Sequence, residues 1–248
     1  MIKRDYTLEV CCGSIEDVIT AVEAGADRIE LCSALDAGGL TASYGTTKTA
    51  LEIASDKTKI VNIIRPREGG FVYTNAEYQV AFNDAKTMLE LGADGIVFGF
   101  LDENSDIDIA KTQEFVNLAG DKETCVHRAV DEVRDWREAI DQLVELGVDR
   151  ILTSAQRSSV LNGLDTLKEM QEYANGRIQI MAGAGVVPEK IDEIIEISGV
   201  ENIHGTFSKK VYVENKLRGE LNNAASQNDL YSYKVVDKDL LNKIGKFG

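Results

Sequence analysis

The sequence is short of positive charge. Its 27 lysines and arginines face 42 aspartates and glutamates, a formal charge of −15. A field of that sign repels phosphate backbones and anionic lipid surfaces, so nucleic acids and membrane surfaces are poor partners. No apolar run approaches the roughly 20 residues needed to cross a bilayer, and the opening MIKRDYTLEV has no apolar signal-peptide core. The expectation is a cytoplasmic protein. Cysteines number four, Cys11, Cys12, Cys32 and Cys125, all within strand-like runs and with no C-x-x-C pair. That usage fits reduced thiols rather than a disulfide framework. No G-x-G-x-x-G follows the first strand signal, where the turn reads Cys11-Cys12-Gly13-Ser14, and this counts against a Rossmann or flavodoxin-like sheet.

What is present is a regular alternation. Short runs rich in Val, Ile and Leu predict eight strands, at Thr7–Cys11, Asp27–Leu31, Lys59–Arg65, Asp94–Gly99, Thr124–His127, Asp149–Thr153, Arg177–Ala182 and Glu201–His204. Amphipathic patterns predict helices at Ser14–Ala24, Ser43–Ala54, Asn75–Glu90, Ile109–Leu118, Trp136–Glu145, Val160–Ala174 and Pro188–Ile197. Three helix exits repeat one phrase, as in Glu90-Leu91-Gly92-Ala93-Asp94-Gly95-Ile96, with a glycine ending the helix before the next strand begins. Eight strands with a helix after each of the first seven predict a (β/α)8 TIM barrel over residues 1–205. Residues 206–248 break the rhythm and carry eight basic against five acidic residues. They are read as an added strand, Tyr231–Val236, and helix, Lys238–Ile244, packed on the barrel or on a partner subunit, with a loose tail as the alternative.

Side chains alternate along a strand, and in a barrel those facing outward pack on helices and stay apolar. The polar positions are therefore the inward ones: Glu9 and Cys11, Glu30 and Cys32, Arg65, Cys125 and His127, Gln179, Asn202 and His204. The third strand is ambiguous, because Asn62 has the opposite parity to Arg65; Arg65 is chosen as nearer the strand exit. Inward groups at the carboxyl ends of the strands share one basin. Both histidines of the chain fall at strand ends, beside thiols and carboxylates. Cys11 and Cys32 stand at equivalent positions on neighbouring strands about 4.8 Å apart. With His204 they would suit Cu(I) or zinc, although buried free cysteines also serve simply as small hydrophobes. Glu9 and Glu30 fit either a ligand site or an interior ion network with Arg28 and Arg65. The loop Arg65-Pro66-Arg67-Glu68-Gly69-Gly70 and the turn Gly183-Ala184-Gly185 are candidate cradles for phosphate or carboxylate, or tight turns with no ligand.

Several stretches taken in order resemble one family. Glu9-Val10-Cys11, Gly25 to Cys32, Gly38-Gly39-Leu40-Thr41, Arg65-Pro66-Arg67, His127-Arg128-Ala129 with Asp131, Leu152-Thr153-Ser154 and Met181 to Val186 are similar to the CutC family of copper-homeostasis proteins, over roughly residues 7 to 205. The resemblance implies a cytoplasmic, oligomeric TIM barrel that binds Cu(I) through Cys11 and Cys32. Two positions depart from the family pattern. Val130 replaces a usual Phe, which would reshape the basin near His127, and Glu68 enters the arginine loop.

The reading is therefore a cytosolic copper-binding homo-oligomer with Cys11, Cys32 and His204 as metal ligands. The alternative is a TIM-barrel lyase, isomerase or hydrolase acting on a small phosphorylated or carboxylated metabolite. Its acid and base would be Glu30 and His127, and its ligand-binding positions Glu9, Arg65, Arg67, Gly183 and Gly185. A non-catalytic scaffold is a third class, which the polar basin argues against.

Overall fold

A computed structural model of the chain describes residues 5–212 and 232–244. Eight parallel strands close into a barrel in sequence order: β1 (Thr7–Cys12), β2 (Arg28–Leu31), β3 (Lys59–Ile63), β4 (Gly95–Phe98), β5 (Glu123–Val126), β6 (Arg150–Thr153), β7 (Gln179–Ala182) and β8 (Asn202–Gly205), with β8 pairing back onto β1. Helices α1 (Ile15–Glu23), α2 (Tyr44–Ala54), α3 (Asn75–Glu90), α4 (Ile109–Ala119), α5 (Trp136–Leu146), α6 (Leu164–Ala174) and α7 (Ile191–Ser198) surround it. This is the expected TIM barrel, with small shifts at element ends. The predicted helix from Val160 divides at Gly163 into a 3₁₀ turn, Val160–Asn162, and α6, and Pro188–Lys190 forms a 3₁₀ turn ahead of α7.

The repeated exit phrase has a physical explanation. Gly25, Gly92 and Gly147 all take positive φ, the left-handed conformation that ends a helix with no Cβ penalty. The aspartate that follows then turns back to the preceding strand. Asp27 accepts from the Leu8 N–H, Asp94 from the Ile60 N–H and Asp149 from the Thr124 N–H, each at 2.8 Å. Each such bond satisfies a donor at the open end of the barrel that would otherwise go unpaired.

Two apolar layers result from strand alternation. Leu8, Val10, Ile29, Leu31, Ile60, Ile96, Phe98, Ile151, Ile180 and Ile203 face the helices, whereas Cys11, Cys32, Val61, Ile63, Val97, Cys125, Leu152 and Met181 fill the interior. Asn62 lies on the outer side, where its amide donates to Thr47 Oγ1 of α2 at 2.8 Å. Arg65 thus keeps the inward parity of Val61 and Ile63. At the amino-terminal end the interior is ionic. Glu123 meets Arg28 (3.6 Å), Arg150 (3.1 Å) and Lys59.

Beyond the barrel, β9 (Ser208–Tyr212) and β10 (Ser232–Val236) form an antiparallel pair followed by α8 (Lys238–Lys243). The extension was expected to hold one strand; β9 has no apolar run to mark it, because Ser208-Lys209-Lys210 are polar and both lysines are exposed. Residues 213–231, which hold the first residue of the predicted strand, Tyr231, lie outside the described residues. Asp17 of α1 is buried because it joins two backbones, accepting from Gly13 N–H at 3.1 Å and from Val236 N–H at 2.6 Å. Asp17→Ala orphans both donors, and chemical unfolding should show a loss of about 2 kcal/mol.

Candidate functional site

At the carboxyl ends of the strands opens a cavity of about 410 Å³, lined by Cys11, Glu30, Leu35, Gly38, Ile63, Arg65, Phe71, His127, Arg128, Leu152, Ala184, Gly185, Val186, His204, Gly205 and Thr206. Of the expected site residues it gathers Cys11, Glu30, Arg65, His127, Gly185 and His204. Cys32, Glu9, Arg67 and Gly183 do not line it.

Cys11 Sγ is 3.2 Å from Glu30 Oε2 and 3.7 Å from Cys32 Sγ, with both thiols free. Strand register places these neighbours: Cys11 of β1 pairs with Glu30 of β2, not with Cys32. Cys32 therefore sits one pleat further on, fully buried, leaning on the Cys12 carbonyl at 3.4 Å. The contact with Cys32, burial and the Glu30 carboxylate push the Cys11 thiol well above its ordinary pKa. Burial raises that of Glu30, helped by repulsion from Glu9 and opposed by His204.

Glu9 lies beneath the cavity, buried and bracketed. Its Oε2 takes the Arg28 Nε–H and its Oε1 lies 2.7 Å from His204 Nδ1. Burial alone would raise its pKa, but Arg28 and His204 outweigh burial and hold the carboxyl well below the usual range. His204 is shifted the other way. Burial opposes its charge, yet Glu30 and Glu9 raise its pKa above the ordinary value. With Nδ1 held by Glu9, the other ring nitrogen points at the thiol and carboxylate, 4.0 Å from Glu30 Oε2. One donor atom each from Cys11, Glu30 and His204 lie within 4.8 Å of one another. Of the expected metal ligands, Cys11 and His204 belong to this group, and Cys32 touches it through Cys11.

His127 just past β5 accepts the Ala129 N–H at Nδ1, 3.2 Å away. In the neutral ring this bond puts the proton on Nε2, which has no partner among the described residues. Burial, with Arg65 and Arg128 nearby, drives its pKa down to about 3. Neutral in that tautomer, His127 carries its N–H donor at Nε2. Gly99 makes room for the ring, since a Cβ there would stand 2.5 Å from Cε1 and 2.6 Å from Nδ1; Phe71 covers it at 4.7 Å between centroids. Asp131, from the same phrase of sequence, instead ties the β6 exit through Thr153 and Ser154.

The arginines divide. Arg65 lines the cavity with its guanidinium braced on the Ala37, Gly39 and Gly69 carbonyls. Arg67 was expected at the ligand, but all five of its N–H donors are spent on Glu77 and on the Glu68, Gly70 and Val72 carbonyls, so it shapes the loop. Gly183 gives its N–H to the Thr153 carbonyl and leaves space for Leu152 and His204. Val130 is buried in the outer apolar layer, so it does not reshape the basin, and Glu68 is exposed. Leu35, Phe71, Arg128 and Thr206 had not been foreseen at the mouth. All four lie outside the barrel strands, Leu35 and Arg128 opening 3₁₀ turns and Phe71 and Thr206 in loops, where strand alternation gives no signal.

The fold and this mouth define a TIM-barrel protein with a buried thiol, carboxylate and imidazole at its carboxyl-terminal face. The chain belongs to the CutC family, whose description matches residues 6–209. A CutC-family protein of Treponema denticola is 39% identical over 207 residues, covering 84% of this chain and 83% of its own. One from Bacteroides fragilis is 41% identical over 201 residues, covering 81% and 80%. A crystal structure of the CutC from Streptococcus agalactiae, named there for copper homeostasis, superposes with a TM-score of 0.78 at 34% identity and covers 81% of this chain and 98% of that one.

Proposed function

We propose that this protein serves copper homeostasis by binding Cu(I) at the Cys11 end of the cavity. The observation that carries this reading is the mutual approach of Cys11, Glu30 and His204 donor atoms within 4.8 Å, with the Cys32 thiol 3.7 Å from Cys11. Two sulfurs that far apart, each about 2.3 Å from an ion, subtend close to a tetrahedral angle. Thiolates and imidazole are the donors that suit Cu(I). His204 also carries the support that metal-binding histidines have, a carboxylate on the ring nitrogen facing away from the metal. Cys11, Cys32 and His204 would hold the ion, and Glu30 Oε2, which meets the Cys11 thiol, would receive its proton as the thiolate forms. A bound Cu(I) would supply a thiophilic centre for transfer to or from another thiol carrier.

The test is competition with a Cu(I) chelator under reducing conditions. Cys11→Ser with Cys32→Ser should weaken binding at least roughly thirtyfold, and wild-type affinity should rise with pH because the ion displaces thiol protons. Equal affinity in the wild type and the double variant would remove copper from this site.

A further inference from the structure

The cavity is larger than an ion needs. At about 410 Å³ it falls in the range of small-molecule pockets, and much of its wall is remote from the thiols. Three buried side chains lining the cavity have an unspent hydrogen-bonding atom: Arg65 at Nε, His127 and Glu30. His127, 4% exposed, lines the cavity, accepts at Nδ1 from Ala129 with its Cε1–Nδ1 edge against Gly99, and has Nε2 without a partner among the described residues. Glu30, 3% exposed, spends Oε2 on Cys11 and leaves Oε1 without a partner among the described residues. A buried polar atom left bare costs about 1–3 kcal/mol, so these positions favour an occupant that supplies the missing partner.

A further part of the wall is backbone. Ala184, Gly185 and Val186 line the cavity after β7, and their N–H groups donate to nothing among the described residues. Ala184 and Gly185 take φ of 70° and 77°, successive left-handed residues of which one is not glycine. An alanine held there costs roughly 1–2 kcal/mol, and such local strain collects at ligand sites. Ser159 fixes the turn: a Cβ on Gly185 would stand 2.4 Å from its Oγ. Successive free N–H groups make a receptor for an anion.

We propose that this mouth binds a small organic anion bearing a hydroxyl group, with its charged oxygens on the Ala184–Val186 N–H groups, its hydroxyl donating to Glu30 Oε1, and a further oxygen accepting from His127 Nε2–H. The polarity of the three contacts defines the ligand class. Glu30 Oε1 needs a donor, which a simple carboxylate or a fully ionised phosphate monoester lacks. The turn and the Arg65 guanidinium, which lines the same cavity, favour negative charge. Phosphate and carboxylate satisfy the turn equally, so the class covers phosphorylated and carboxylated hydroxy compounds alike. The site requires no metal; it shares Glu30 with the copper reading but uses the other carboxylate oxygen.

The test uses the full-length, reduced, metal-free protein, labelled with ¹⁵N and kept in a chelator. Two pairs of probes are titrated: glycolate against acetate, and glycerol 3-phosphate against methyl phosphate. In at least one pair the hydroxyl-bearing member should bind roughly tenfold tighter and shift the Ala184, Gly185 and Val186 amide resonances. The pair that binds identifies the anion. His127→Asn keeps an acceptor for the Ala129 N–H but loses the Nε2 donor, and should weaken that probe about tenfold; His127→Gln, which restores a donor, should recover most of it. The proposal is overturned if no probe shifts those amides at millimolar concentration, or if the hydroxyl makes no difference in wild type. Loss of Cu(I) competition would leave this result untouched, since the thiols make none of the three contacts.

Discussion

Glu9→Gln is expected to lower the free energy of unfolding by about 3–5 kcal/mol, the cost of removing one partner from a buried ion pair. Glu9 is fully buried and holds Arg28 on one oxygen and His204 on the other. Its neutral amide would leave the Arg28 guanidinium, itself 5% exposed, dependent on Glu123 at 3.6 Å. The same substitution would free the His204 ring from its orienting bond, so it acts on the site as well as on the fold. Urea unfolding measures the loss. Glu9→Gln combined with Arg28→Met should recover at least half of it, because a buried pair replaced as a unit is often near neutral. Additive losses in the double variant would mean that the two side chains do not act as a pair.

Acid should destabilise the protein through His127, and the sign follows from its lowered pKa. The unfolded chain protonates this histidine near 6.5, the folded one only near 3. Between those values the unfolded state binds more protons, so stability is full above pH 6.5 and is lost as pH falls toward 3. At pH 5 the loss from this one group is about 2 kcal/mol, growing by roughly 1.4 kcal/mol for each further unit until pH approaches 3. His127→Asn keeps the bond to Ala129 and cannot charge. Urea midpoints measured at pH 7.5, 6.5 and 5.0 should therefore fall more steeply in wild type than in the variant. Parallel curves would show that the ring is not buried neutral. Differencing against the variant removes the contributions of Glu9, Glu30 and His204, which titrate in both proteins.

The barrel, its strand order and most of the inward-facing residues were legible in the sequence because they rest on short-range periodicity. A two-residue repeat sorts each strand into two faces wherever the barrel closes, so Glu9, Cys11, Glu30, His127 and His204 could be assigned inward from the alternation, and Arg65 from its place nearer the strand exit. The glycine and aspartate of the repeated exit phrase were legible for the same reason, since both act within one loop.

What the pattern within each strand could not supply was the alignment between strands. Closing eight strands requires a stagger, and that stagger pairs Cys11 with Glu30, moves Cys32 one pleat onward, and turns two equivalent cysteines into one lining the cavity and one fully buried outside its lining. The loops obey no period at all. Arg65 and Arg67 look interchangeable in sequence, yet one faces the cavity and the other spends every donor on its own loop and Glu77. His127 reads as an acid or base from its type and position. Only the Ala129 N–H at its Nδ1 makes it a neutral donor, because a tautomer is set by a hydrogen-bond partner in space.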